Sequence, residues 1–181
     1  MPVQSQRDFA LYRDLLVPDQ IQARPWTVIT VFFSHELHLH LLGNLLLLFV
    51  FGIRLEKHTG PLHTLILYFV TGIAGSLAIL AVAEIGAYDG GIAGASAAGF
   101  GLLAAIATLS PDSSVGGKLG GKMSLKSLAI LMFVINVVMI AAELSGIIGF
   151  GIIGGAGHVG GMVIGALYAV HFRRTIPIIR D

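Results

Sequence analysis

Four residues in this sequence stand where polar side chains are costly and chemistry is available to them. Ser96 lies in Gly94-Ala95-Ser96-Ala97-Ala98-Gly99-Phe100-Gly101. Small neighbours let a carbonyl approach a serine hydroxyl, and a helix starting there offers N–H groups with no internal acceptor. That is the logic of acyl transfer through an activated hydroxyl. His158 lies in Gly155-Ala156-Gly157-His158-Val159-Gly160-Gly161. An imidazole titrates near neutrality, which makes it a candidate general base. His40 and Asn44 are four residues apart and so share a helix face. His35 precedes them by about a turn and a half, and His38 points elsewhere.

Each of these has a plainer reading. Serine among alanines and glycines often serves as packing glue between membrane helices. A lone histidine on a small-residue face can be a core residue bonded to a carbonyl. His35 and His38 can be wet residues where a helix starts at the interface. A zinc site wants three or four ligands, and His38 and His40 do not share a face. Asn136 is expected to bond to a neighbouring helix. Glu56, beside Arg54 and Lys57, reads as an ion pair or a cap. His63 and His171 read as wet residues at span ends.

The elements that must position these residues are membrane helices. Of 181 residues, 55% are hydrophobic and 12% charged, against about 25% charged in a soluble domain. A span needs about 20 mostly apolar residues, and five candidates fit. They run Leu37–Ile53 (with a lead-in at Val28–Phe33), Leu62–Ala83, Ile92–Ser110, Ser127–Ala142, and from near Gly157 to Phe172. In lipid, backbone polar groups must be satisfied within the segment, so the spans are helices. Ala97, Gly101, Ala105 and Thr108 on the third span recur at helical spacing, as do Gly157, Gly161 and Gly165 on the fifth. Such faces let backbones approach closely, so these two spans are expected to pack at the centre. The Gly-rich stretch Ser145–Ala156 reads as a loop dipping toward the membrane, and as a mobile gate over a site containing His158.

Charge gives a direction. Arg54, Lys57, Lys118, Lys122, Lys126, Arg173, Arg174 and Arg180 all follow odd-numbered spans, and they are eight of the 11 Lys and Arg residues. The positive-inside rule puts that side in the cytoplasm. The opposite loops carry Glu84, Asp89 and Glu143 and no cation. The N-terminal tail would then lie outside. Zero cysteines exclude thiol catalysis, disulfides and Cys-based zinc sites. A net charge of +1 without a basic stripe gives no reason to expect nucleic acid. The first residues, polar and mixed in charge, lack the basic start and apolar stretch of a signal peptide.

In motif, order and spacing the sequence resembles the rhomboid family of intramembrane serine proteases. That family carries H-x-x-x-N on its second membrane helix, similar to His40-Leu-Leu-Gly-Asn44. It carries G-x-S-G near the start of its fourth, similar to Gly94-Ala95-Ser96. It carries a histidine with trailing glycines on its sixth, similar to His158, Gly161 and Gly165. The stretch around His35 resembles the approach to that second helix. The resemblance covers residues 25–172. It departs at Ala97, where the family usually has glycine, and in supplying five spans that match the second to sixth of a six-span core. The resemblance implies an all-α rhomboid-like bundle with an extracytoplasmic segment at 1–27, a transmembrane domain at 28–174 and a cytoplasmic tail at 175–181.

It further implies a Ser96–His158 dyad, with His40, Asn44 and the Ser96 N–H as the oxyanion site. Phe100, one turn after Ser96, matches the position of an aromatic ring that stacks on the imidazole. His35, Gly94 and Gly161 would support the site. No cofactor or metal is implied. The implied partners are the bilayer and single-span membrane proteins as substrates. The protein would be multi-pass in a membrane of prokaryotic type. Two other readings are a catalytically inactive rhomboid-like protein that binds membrane helices, and a small transporter or channel subunit with histidines as a proton path. The second reading finds no support in an inverted repeat between the halves.

Overall fold

A computed structural model of the chain describes residues 15–35, 37–86, 91–115, 123–147 and 154–175. Five long helices carry the architecture: α1 (His38–Thr59), α2 (Pro61–Gly86), α3 (Ser96–Leu109), α4 (Leu125–Leu144) and α5 (Gly154–Thr175). No strand is present among the described residues, which hold two isolated bridges, Leu16 with Ile92 and Ser114 with Ser124. The expected all-α bundle is the fold. Helices α1, α2 and α4 are long and apolar enough to cross a membrane. α3 has 14 residues, about 21 Å at 1.5 Å per residue, and falls short of a core about 30 Å thick.

Several boundaries differ from expectation, each for a physical reason. α1 continues past Ile53 to Thr59, because Leu55 in the added stretch is fully buried while its charged neighbours stay at the surface. It ends at Gly60, whose φ is +80°, and Pro61 opens α2. A proline suits the first helical position, where its missing N–H costs nothing. Val28–Phe33 does not continue into α1. It forms two short helical turns, Thr27–Thr30 and Val31–Phe33, and the chain is then extended at Ser34 and Leu37. α3 begins at Ser96 and not at Ile92, because Ile92 exchanges both backbone bonds with Leu16 (2.9 and 3.0 Å). α4 begins at Leu125, where the Ser124 hydroxyl caps it by accepting from the Ser127 N–H. α5 begins at Gly154, so the end of the expected loop is helix. Residues 148–153 of that loop lie outside the described residues, as do Asp89, Lys118, Lys122 and Arg180.

α3 is the central helix, with 11 of its 14 residues buried. α5 reaches it through glycine. A Cβ on Gly161 would collide with the Ala97 carbonyl oxygen, and one on Gly165 with the Gly101 carbonyl oxygen. Gly157 belongs to a different contact. A Cβ there would strike Ile79 of α2. Side chains fill the ends of the bundle. Phe51, Leu55, Leu67, Leu102, Ile106 and Phe172 form one apolar cluster, and Leu16, Val31, Phe32, Ile79 and Ala83 form another. The second cluster draws the N-terminal segment into the bundle. Ser76 of α2 holds that segment by donating to the Val28 carbonyl at 2.9 Å.

The outside of the bundle is apolar. Of the 20 residues of α4, Leu125 and Asn136 are buried, while Ile130, Phe133, Val134 and Val138 are exposed. α1 likewise exposes Leu39, Leu42, Leu46 and Phe49. Apolar surface on this scale needs lipid around it. At one end the Arg54 guanidinium donates to the carbonyls of Ser114 (3.0 Å) and Val115 (3.4 Å), and Arg173 donates to that of Thr108 (3.2 Å). Arg54 thus turns to loop carbonyls, and among the described residues it makes no ion pair with Glu56.

Candidate active site

The start of α3 is held from three sides. Gly94, two residues before Ser96, has φ +113°, a conformation open to glycine at little cost. Its N–H donates to the Val31 carbonyl at 3.1 Å. A Cβ at Gly94 would lie 2.8 Å from the His40 ring, so the missing side chain lets α1 approach. These ties fix where the first turn of α3 begins, and with it the Ser96 side chain. As the first helical residue, Ser96 presents an N–H with no acceptor inside the helix.

His158 comes to Ser96 from α5. The Ser96 hydroxyl lies 2.7 Å from His158 Nε2. The other ring nitrogen, Nδ1, lies 2.7 Å from Oδ1 of Asn136 on α4. The Phe100 ring lies against the imidazole, with centroids 4.4 Å apart and planes at 34°. Gly161, one turn after His158, is the residue that brings α5 against the Ala97 backbone. The methyl of Ala97 itself lies against Gly75 of α2, which has no side chain to oppose it.

A cavity of about 520 Å³ opens beside this pair. His40, Asn44, Gly94, Ser96 and His158 line it together with apolar residues that include Val31, Phe32 and Ile79. Asn44 is buried and donates one amide hydrogen to the His40 carbonyl at 2.9 Å, the i−4 bond of its own helix. Its second amide hydrogen remains, and its Oδ1 has no partner among the described residues. His35 is buried beside the site, edge-on to His40 with centroids 5.3 Å apart. Burial holds its imidazole below the usual histidine range. The neighbouring His40 adds to this, and a bond to the Phe33 backbone opposes it.

Of the residues expected at the site, His40, Asn44, Gly94, Ser96 and His158 line one cavity, while His35 and Phe100 pack against His40 and His158 and Gly161 against the Ala97 backbone. Two contributions were not legible in the sequence. The first is the specific partner of Asn136; a lone asparagine in an apolar helix signals a bond but not its direction. The second is the N-terminal segment, where Leu16 and Val31 anchor the loop that precedes Ser96 through backbone groups no side chain announces.

The rhomboid domain profile matches residues 22–175. The chain belongs to the rhomboid family. Over 112 residues it is 34% identical to a rhomboid relative of Arabidopsis thaliana named inactive rhomboid-like protein 8, covering 61% of this chain and 30% of that one. Over 82 residues it is 34% identical to rhomboid-like protease 3 of Toxoplasma gondii, covering 45% of this chain and 30% of that one. The matched region thus spans under a third of each relative's length. No solved structure matches the chain.

Proposed function

We propose that this rhomboid is an intramembrane serine endopeptidase that cuts single-span membrane proteins. The observation that carries this reading is the 2.7 Å bond between Ser96 Oγ and His158 Nε2 beside a cavity that His40 and Asn44 also line. The Ser96 oxygen attacks a peptide carbonyl, and its proton passes to His158 Nε2. The tetrahedral oxyanion is held by the Ser96 N–H, the free amide hydrogen of Asn44 and the His40 ring. His158 then gives its proton to the leaving amine, and the acyl-enzyme is hydrolysed by water with His158 again as base. Phe100 keeps the ring in plane during both transfers. The basic end with Arg54, Lys126, Arg173 and Arg174 faces the cytoplasm, which puts Ser96 in the outer half.

The test is cleavage of a fluorescent single-span substrate in liposomes by wild type, Ser96→Ala and His158→Ala. Wild-type cleavage that both variants abolish supports the reading. The 34% identity to a relative named inactive favours a second reading, in which the fold binds membrane helices without cutting them. Failure of wild type to cleave and of Ser96 to take up a fluorophosphonate, with substrate still bound, would move that reading ahead.

A further inference from the structure

Asn136 is the one buried polar residue of α4, and its amide is fixed in orientation. Its Nδ2 lies 2.7 Å from the Met132 carbonyl, which can only accept. Oδ1 therefore faces His158 Nδ1, 2.7 Å away. An amide oxygen can only accept, so Nδ1 must carry the proton. Nε2 is then left with its lone pair, and that lone pair points at the Ser96 hydroxyl. The chain of bonds from Met132 through Asn136 and His158 to Ser96 has one consistent set of donors and acceptors, and in it Ser96 donates.

We infer that Asn136 is a positioning residue that selects the His158 tautomer able to act as base, making the site a relay from α4 through α5 to α3. Stacking by Phe100 fixes the plane of the ring but leaves its two nitrogens equivalent; only a bond at Nδ1 distinguishes them. α5 lies close to α4 here, since a Cβ at Gly155 would sit 3.3 Å from the Asn136 carbonyl oxygen and 3.4 Å from its Oδ1. The role of Asn136 in turnover rests on the protease reading, but its hold on the tautomer does not.

The experiment joins a spectroscopic readout to a kinetic one, on the full chain in liposomes. Ring 15N shifts of His158, assigned by comparison with His158→Ala, report which nitrogen is protonated. Wild type is expected to show protonated Nδ1 and bare Nε2. Asn136→Ala is expected to mix the tautomers, to lower kcat on the order of 10- to 100-fold with KM nearly unchanged, and to slow fluorophosphonate labelling of Ser96. Asn136→Asp, which keeps the acceptor, is expected to restore the wild-type tautomer and most of kcat. Should Asn136→Ala fail to fold, Asn136→Leu, which keeps the bulk of the amide and has no acceptor, takes its place with the same expected outcomes. A wild-type ring protonated on Nε2 overturns the inference, as does an Asn136→Ala protein with wild-type tautomer and kcat. A wild type that cleaves nothing and still switches tautomer on Asn136→Ala upholds the positioning and sinks the protease reading alone.

Discussion

Ser96 and His158 are separated by 62 residues and by a single hydrogen bond. Another Ser–His pair in the chain shows what makes this one different. Ser110 Oγ lies 2.8 Å from His58 Nε2, and His58 Nδ1 is bonded to the Arg54 carbonyl. The bond lengths are nearly the same, yet that pair is exposed, and among the described residues no cavity beside it holds amide donors. On the proposed function, chemistry at Ser96 depends on its neighbours as much as on its base. Asn44→Ala should lower kcat by roughly 100- to 1000-fold, about 3 kcal/mol of transition-state stabilisation, with Ser96 still labelled by fluorophosphonate. His35 gives a pH prediction. Its folded-state affinity for a proton is depressed, so the unfolded chain binds the proton more readily and stability is lost as pH falls. Moving from about pH 7.5 to about pH 5.5, on either side of the ordinary histidine value, should lower the unfolding temperature, and less so in His35→Asn. At this scale the sequence was legible because Ser96, His158, His40 and Asn44 interrupt apolar stretches at a cost. Asn136 interrupts one too, but its spacing relates it to nothing else in the chain, so its partner could not be read.

Among the elements, α3 and α5 meet backbone to backbone, and the interface leaves no room for an added methyl. Gly161→Ala should destabilise the bundle by about 1–3 kcal/mol and reduce labelling of Ser96. Gly154→Ala should not, since a Cβ there meets nothing within 4 Å. Comparing unfolding in detergent separates the two. Leu16 is fully buried in the segment that holds Ile92. Leu16→Ala should cost about 2–5 kcal/mol and slow turnover, because it loosens the loop leading into Ser96. The small-residue spacing of α3 and α5 announced their contact in advance. Hydropathy misplaced the start of α3, since Ile92 is as apolar as a helix residue and its role is set by pairing with Leu16. It also ended α1 too early, since Arg54, Glu56 and Lys57 look like a terminus while Leu55 beside them is buried.

For the whole molecule, the distribution of cations makes a claim about direction. The chain has no cysteine, so one introduced cysteine is a unique label. Cysteine at Ser113, in the loop next to the carbonyls that Arg54 binds, should react with an impermeant maleimide only from the cytoplasmic side. Cysteine at Trp26, 52% exposed, should react only from outside. The reverse pattern would invert the proposed topology. The bundle was foreseeable as a whole because its lipid-facing surface must be apolar whatever lies within. The seating of the N-terminal segment was not, because it rests on backbone groups of Leu16, Val28 and Val31, which leave no periodic trace.

The glycine contacts between α3 and α5 have an evolutionary consequence. Those contacts run from Gly161 to the Ala97 carbonyl and from Gly165 to the Gly101 carbonyl, so losing the Ser96 or the His158 side chain would break the 2.7 Å bond between α3 and α5 and leave these backbone contacts in place. Catalysis could then be lost by a single substitution while the scaffold persisted, free to be kept for holding membrane helices alone. A substitution at Gly161 or Gly165 offers no such halfway state. On the proposed function, the chemistry is then the part of this molecule that one substitution could remove, while the bare backbone between the two helices is the part its fold depends on.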